Sequence, residues 1–265
     1  MKKALKITGI VLAALVALAI AAVMFTGIVQ YIIISKFVSP MDNIVYSEWP
    51  NYDAGTLTEY KTVSYKPEND KAAFEMTISA DIPVDLVGKL DEDGNRGAYT
   101  DRVFITDGAP KGNCATVFFT GSHFTEPPKI TDDDRAKGVS EKDIDDFCTK
   151  ELGKQPIRSY YDMLDVIYSA DTSKCNVLSK KETTFYMLFG TYRAVLCSEP
   201  DEEIVYHFEK ENIRGFITEY KNEQYSVYVN VFDRNDLNTE YSILVSAPDK
   251  ETVYKIVNSI RLETE

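Results

Sequence analysis

Residues 225–247, YSVYVNVFDRNDLNTEYSILVSA, carry the clearest structural pattern of this chain. Apolar side chains occupy every second position in both of its halves, and the polar run Arg234-Asn235-Asp236 separates the halves. Alternation with a period of two is typical of half-buried β-strands. Because the link between the halves is short, they are predicted to pair as antiparallel strands.

The sequence on either side extends this pattern. Two more alternating segments, 204–208 and 213–220, precede the quoted stretch and predict an antiparallel meander. After it, residues 249–260 carry apolar side chains at helical spacing, which predicts an amphipathic helix packed on the sheet. The apolar positions of that helix are Val253, Ile256, Val257 and Ile260.

Further elements are predicted nearer the N-terminus. Strands are expected at 72–81, 102–106 and 114–120, where short runs alternate or are apolar throughout. Three helices should follow, because three serines each precede an acidic residue by three positions, as in a capping box. These pairs are Ser140 with Asp143, Ser159 with Asp162, and Ser179 with Glu182. The order of elements predicts an α+β fold in which helices flank an antiparallel sheet.

An uncharged segment, residues 7–35, lies close to the N-terminus. It is longer than the roughly 20 apolar residues that a transmembrane helix needs. Lys2, Lys3 and Lys6 precede it, so the positive-inside rule predicts a cytoplasmic N-terminus and a domain outside the cytoplasm. A cleaved signal peptide is the alternative, but apolar residues continue beyond the length of a signal h-region.

The predicted layout therefore has three parts. Residues 1–36 form a cytoplasmic N-terminus and a single-pass signal-anchor helix in the cell membrane. Residues 37–58, with Pro40, Pro50 and little periodicity, form a tether. Residues 59–265 form the extracytoplasmic α+β domain.

Charge restricts the partners of that domain. The whole chain has a formal net charge of −13, and four of its lysines belong to the N-terminal segment and its flanks. A surface of this sign repels nucleic acid, which binds through clustered Lys and Arg. The sequence therefore predicts no nucleic-acid partner, contact with a membrane only through residues 7–35, and a basic protein as the favoured partner.

The order of strands and the closing run Lys255-Ile256-Val257-Asn258-Ser259-Ile260 resemble the PsbP-like fold family. The likeness covers residues 72–152 and 204–262 and rests on element order. It implies an αβα sandwich, an antiparallel sheet with helices on both faces, as in bacterial exported or membrane-anchored proteins of unknown role. The family shares no active site, so the resemblance implies no catalytic residue.

Metal sites and cofactor sites are not predicted. His123 and His207 are the two histidines, which excludes His-Glu-x-x-His motifs. Asp91, Asp93 and Asn95 resemble the start of a calcium loop, but its later positions hold arginines instead of Gly and Glu. The cluster Asp132-Asp133-Asp134 beside Glu126 is interpreted as a solvated loop.

Cysteine and serine chemistry is equally unsupported. Gly121-Ser122-His123 lacks the second glycine of a nucleophile elbow, and Cys114 is nine residues from His123, which places them on opposite strand faces. The four cysteines, Cys114, Cys148, Cys175 and Cys197, lack Cys-x-x-Cys spacing. A disulfide between Cys175 and Cys197 and four buried thiols both remain open.

The sequence favours a non-catalytic, membrane-tethered binding module and predicts no catalytic residue. Four tyrosines of the strands, Tyr220, Tyr225, Tyr228 and Tyr241, are candidates for an aromatic binding platform or for strand packing. The alternatives are an extracytoplasmic enzyme with an unrecognised active site and an envelope assembly subunit.

Overall fold

The structure is a computed structural model of the chain. It describes residues 18–20, 27–29, 31–32, 45–49, 59–67, 74–84, 89–90, 102–107, 115–124, 139–171, 174–196, 204–221 and 225–264.

The chain folds into two compact units. The first unit comprises Met1–Asn43, Ile130–Pro156 and Val166–Pro200, and its elements are helical. The second comprises Ile44–Lys129, Ile157–Asp165 and Asp201–Glu265, and it contains the strands.

An eight-stranded sheet dominates the second unit, and its strand order is β1-β7-β8-β9-β10-β6-β5-β4. The bounds of these strands are β1 Val45–Glu48, β4 Lys89–Leu90, β5 Arg102–Asp107, β6 Thr116–His123, β7 Ile204–Lys210, β8 Ile213–Lys221, β9 Tyr225–Asp233 and β10 Asp236–Ala247. The antiparallel pairing of β9 with β10 confirms the hairpin predicted from residues 225–247. A bulge between Asp236 and Glu240 shifts the register near the turn.

The sheet is mixed, whereas the sequence predicted an antiparallel one. Strand β1 runs parallel to β7, with Val45 opposite Ile204 and Glu48 opposite His207. This strand lies inside residues 37–58, the predicted tether, and Trp49 directly after it is buried. Its alternation was too short to be recognised, because a four-residue edge strand carries only two residues for each face.

A three-stranded sheet, in the order β11-β3-β2, completes the core of the second unit. Its strands are β2 Tyr60–Tyr65, β3 Met76–Pro83 and β11 Arg261–Thr264. The closing helix, Lys250–Asn258, contacts β9, β10 and β3. It buries Val253, Ile256 and Val257, as its helical spacing predicted.

The two faces of the central strands differ in chemistry. One face presents Val227, Val229 and Val231 to the hydrophobic core. The other carries polar residues that are nevertheless buried; they are Thr218, Ser226, Asn230, Glu240 and Ser242. Buried polar groups need hydrogen-bond partners, so this face restricts which residues can pack there.

The remaining helices begin at the predicted capping residues. Helix α1, Glu141–Asp146, has a complete capping box between Ser140 and Asp143, and it continues as a π-helical turn, Phe147–Glu151. Helix α2, Tyr160–Ser169, begins after Ser159, and helix α3, Lys180–Leu196, begins after Ser179. The closing helix Lys250–Asn258 is therefore α4.

Aromatic packing holds the first unit together. The Phe147 ring of the π-helical turn lies 5.1 Å from the Phe185 ring and 5.0 Å from the Tyr186 ring of α3. Both partners lie on the buried side of α3. This packing fixes the π-helical turn on α3, since ring pairs at such distances add to the burial of apolar surface.

The prediction of an N-terminal transmembrane helix over residues 7–35 is wrong for this structure. Among the residues that are described, no helix is long and apolar enough to cross a membrane. A spanning helix needs about 20 consecutive apolar residues. Gly27, within this segment, is instead buried, and its N–H donates a hydrogen bond to the carbonyl of Val177 at 3.0 Å. Membrane contact and a location outside the cytoplasm stay predictions.

Candidate functional site

Six side chains from five separate segments of the second unit meet at one end of the eight-stranded sheet. We call this group the aromatic site. Its members are Trp49, Tyr206, Glu219, Tyr225, Lys250 and Tyr254.

Local hydrogen bonds fix two segments of the aromatic site, the end of β1 and the start of α4. The N–H of Trp49 donates a hydrogen bond to the carbonyl of His207 at 2.8 Å, which holds the end of β1 on β7. Asp249 caps α4 by accepting a hydrogen bond from the Thr252 N–H at 2.8 Å. This cap places Lys250 at the first helical position and Tyr254 four residues later, so that both side chains lie on one helix face.

The aromatic rings lie at steep angles to one another. The Trp49 ring is 4.6 Å from the Tyr254 ring at 59° and 5.2 Å from the Tyr206 ring at 82°. The Tyr225 ring is 6.1 Å from the Tyr254 ring at 73°. These separations are those of favourable edge-to-face and tilted aromatic pairs. The rings thus form a corner and not a parallel stack.

One carboxylate and one ammonium group complete the site. The hydroxyl of Tyr254 donates a hydrogen bond to Glu219, and the Lys250 Nζ lies 3.4 Å from the Glu219 Oε1. The same Nζ lies 4.9 Å from the centre of the Tyr254 ring and 5.3 Å from that of Tyr225. Both distances are within the range of cation–π attraction. The site therefore already holds a cation against two rings and a carboxylate.

The phenols of the site stay protonated at neutral pH. Burial raises the pKa of the Tyr206, Tyr225 and Tyr254 hydroxyls, and the neighbouring Glu219 raises the pKa of each further. A negative charge on a phenol would be poorly hydrated here and would be repelled by the carboxylate. A protonated phenol can donate a hydrogen bond, as the Tyr254 hydroxyl does to Glu219, and Glu219 supplies the carboxylate of the site.

The two histidines lie on different strands and do not meet. Strands β8, β9 and β10 separate His207 on β7 from His123 on β6. At about 4.8 Å per strand spacing, the two strands are roughly 19 Å apart. Across the part of the chain that the structure describes, no group of three or more His, Cys, Asp and Glu side chains is arranged to hold a metal ion.

His123 belongs to a hydrogen-bonded chain at the bulge of β10. Its Nδ1 is 2.8 Å from the Thr239 Oγ1, and the same hydroxyl donates its proton to Asp236. Thr239 must therefore accept at this contact, so the His123 Nδ1 carries a proton. Asp236 also accepts a hydrogen bond from the N–H of Asn238. This hydrogen-bond network anchors the His123 imidazole, but the network includes no serine or cysteine that a base would activate.

The cysteines and acidic residues singled out in the sequence lie partly outside and partly inside the described residues. Cys114, Cys197, the aspartates at 91, 93 and 132–134, Asn95 and Glu126 lie outside the described residues. Cys148 is buried in the π-helical turn, and the Cys175 thiol donates a hydrogen bond to Thr183 at 3.6 Å. Burial raises the pKa of the Cys175 thiol, which reduces its reactivity.

The strand tyrosines do not form one platform. Tyr225 joins the aromatic site, and Tyr241 is buried with its ring 5.3 Å from that of Phe74. Tyr228 points to the opposite face, because it alternates with Val227 and Val229. Alternation places tyrosines at even and odd positions on different faces, so counting them could not show which ones meet.

A buried carboxylate lies on the polar face of the sheet. Glu240 is 5% exposed, and its Oε1 accepts hydrogen bonds from the Ser242 hydroxyl at 2.7 Å and from the Asn230 amide. Burial raises the pKa of Glu240, although these two donors oppose the shift. Both donors are uncharged, so the carboxyl favours its protonated form more than an exposed glutamate does.

A shallow groove lies between α1 and α3 in the first unit. Asp143, Asp146, Lys150 and Lys181 are among the residues that line it. These charges are paired with one another: Lys181 contacts Asp143, and the Lys150 Nζ is 3.2 Å from an Asp146 oxygen. Ion pairs whose lysines are more than half exposed, as here, are solvated and contribute little to stability.

Comparisons with protein-family models, with curated proteins and with solved structures found no match. The resemblance to PsbP-like proteins therefore stays a prediction.

Proposed function

We propose that the second unit is a non-catalytic binding module that recognises a positively charged segment of a partner protein. One observation carries this proposal: the aromatic site holds the Lys250 ammonium over two phenol rings and beside the Glu219 carboxylate. Ammonium groups in partners are attracted by the same combination of ring quadrupole and negative charge.

Two further properties support a basic partner. Glu219 has only 11% of its side chain exposed, so its charge is screened by water less than a surface carboxylate would be. The formal net charge of −13 attracts a basic partner over longer distances and speeds its encounter. The site and the whole surface thus favour the same sign of ligand.

The single tryptophan of the chain makes this proposal testable. Trp49 is the chain's one Trp and lies in the aromatic site, so its fluorescence reports on that site alone. A lysine-rich peptide should change the emission saturably, and a glutamate-rich peptide of equal length should not. Binding should weaken as salt rises from about 0.01 M to about 1 M, since the screening length falls from ~30 Å to ~3 Å.

Three results would overturn the proposal. They are no saturable change with the lysine-rich peptide, an equal response to both peptides, and an affinity that does not depend on salt. The placement of the module outside the cytoplasm is a separate prediction, which rests on the charges around residues 7–35.

A further inference from the structure

We propose that Lys250 is a built-in occupant of the aromatic site, and that the external ligand is a single alkylammonium group that displaces it. The ligand class is the lysine side chain and its N-methylated forms. This inference rests on the proposed function and specifies both the chemical group that the site takes and the residue that competes for it.

The position of Lys250 in α4 is the first argument. It occupies the first helical position, where the positive end of the helix dipole disfavours a cation. The ammonium lies instead against Glu219 and the two phenol rings. Its placement is therefore explained by the aromatic site and not by the helix.

The ammonium is also easier to remove than the groups that hold it. The Lys250 side chain is 49% exposed, whereas its partner Glu219 is 11% exposed. About half of the Lys250 side chain already faces water, so Lys250 can exchange its contacts for water at a smaller cost than a buried cation could. Trp49 and Tyr254 are only 8% and 1% exposed, so we expect both rings to remain in place when it leaves.

Helix α4 does not depend on Lys250 for its own stability. Asp249 caps its first turn, and its buried face consists of Val253, Tyr254, Ile256 and Val257. A change at Lys250 removes the ammonium from the Tyr254 ring, but it leaves the Asp249 cap and the three aliphatic side chains of the buried face unaltered. Variants at this position are therefore expected to fold, which makes the competition measurable.

The arrangement of the rings selects an ammonium over a guanidinium group. The three ring pairs make angles of 59°, 73° and 82°. A flat guanidinium stacks on one ring face, whereas a compact, rounded ammonium contacts several tilted rings together. Methylation enlarges the apolar surface of the ammonium without removing its charge, so methylated forms keep the attraction to Glu219.

The test uses the full chain and choline as the probe, with the emission of Trp49 as the signal. Its neutral isostere, 3,3-dimethylbutan-1-ol, controls for apolar binding, and methylguanidinium tests the choice of cation. Lys250→Ala removes the competitor, and Lys250→Met removes the charge but keeps most of the aliphatic stem. Lys255→Ala is the matched control, because it removes one lysine from the same helix, where that lysine pairs with Glu251 at 2.7 Å.

Both Lys250 variants should bind choline about tenfold more tightly than the unaltered chain, as expected when a competing cation–π contact is lost. Lys255→Ala should bind like the unaltered chain, and the isostere and methylguanidinium should bind more weakly than choline. Equal choline binding by the unaltered chain and both Lys250 variants would overturn the competition and leave the proposed function standing. Absence of choline binding in every form would overturn both, and equal binding of the isostere would overturn the ammonium class.

Discussion

The hydroxyl of Tyr254 donates a hydrogen bond to the carboxylate of Glu219, which ties helix α4 to strand β8 inside the aromatic site. Tyr254 is 1% exposed, and the Glu219 side chain is 11% exposed. A buried carboxylate that loses a donor keeps its desolvation cost, so this bond contributes to the fold as well as to the site.

Tyr254→Phe should therefore destabilise the protein. Removal of the hydroxyl leaves Glu219 short of one donor, and we expect a loss of about 1–3 kcal/mol in the free energy of unfolding. Urea denaturation measures this loss. Tyr60→Phe is the control, since Tyr60 is 51% exposed and should change the stability little. Equal stability of the two variants would contradict a stabilising role for the Tyr254–Glu219 bond.

Trp49→Ala should be among the most damaging substitutions in the second unit. The indole packs on Tyr206 and Tyr254, and its truncation leaves a cavity, for which we expect a cost of about 3–5 kcal/mol. Val45→Ala changes an exposed residue of the preceding strand β1 and should cost little. Thermal unfolding of both variants measures these costs. A mild effect of Trp49→Ala would show that residues 45–49 are not part of the folded core.

A chain truncated so that it starts at Thr58 tests the N-terminal boundary of the folded domain. The sequence predicted that residues 37–58 are a tether. If they are, a truncated chain that starts at Thr58 should fold as well as a longer one. The structure places β1 and Trp49 in the sheet, so this truncation should unfold at a lower temperature than one that starts at Asn43. Equal melting temperatures would support the original boundary.

Glu240 should make stability depend on pH. Its folded pKa is raised above the ordinary 4.5, so the folded state keeps the proton to higher pH than the unfolded chain does. The contribution of protonated Glu240 to the free energy of unfolding is present in full below its unfolded pKa. This contribution is lost as the pH rises through its folded pKa. Glu240→Gln should remove this loss, because the amide cannot ionise.

Denaturation of the Glu240→Gln variant across pH 4 to 9, compared with the unaltered chain, checks this expectation. The variant should gain stability relative to the unaltered chain as pH rises. Glu209→Gln, an exposed carboxylate on β7, controls for general charge effects. Parallel pH profiles for Glu240→Gln and the unaltered chain would mean that Glu240 is not desolvated in solution.

Local pattern predicted much of the secondary structure. The alternation at 225–247 correctly predicted the hairpin, and the Ser140–Asp143 pair correctly predicted a capping box. Both signals come from residues that are close in sequence. Gly153 ends the π-helical turn at a φ of +66°, a left-handed conformation that glycine adopts without strain.

The aromatic site could not be predicted in this way. Trp49 lies in the predicted tether, and its ring partners Tyr206 and Tyr254 come from segments far along the chain. Which strand pairs with β1, and in which direction, depends on tertiary packing that no local pattern reports. The transmembrane prediction was wrong for a related reason: apolar composition does not state whether a segment packs on protein, as Gly27 does beside Thr183.

The most direct test of the central claim is the affinity of choline for Glu219→Gln compared with Glu209→Gln, measured by calorimetry on the full chain. Both variants lose one negative charge, but Glu219 alone belongs to the aromatic site. Cation recognition at this site predicts at least about tenfold weaker binding for Glu219→Gln, which corresponds to ~1.4 kcal/mol, and unchanged binding for Glu209→Gln. Equal affinities for the two variants would contradict the claim.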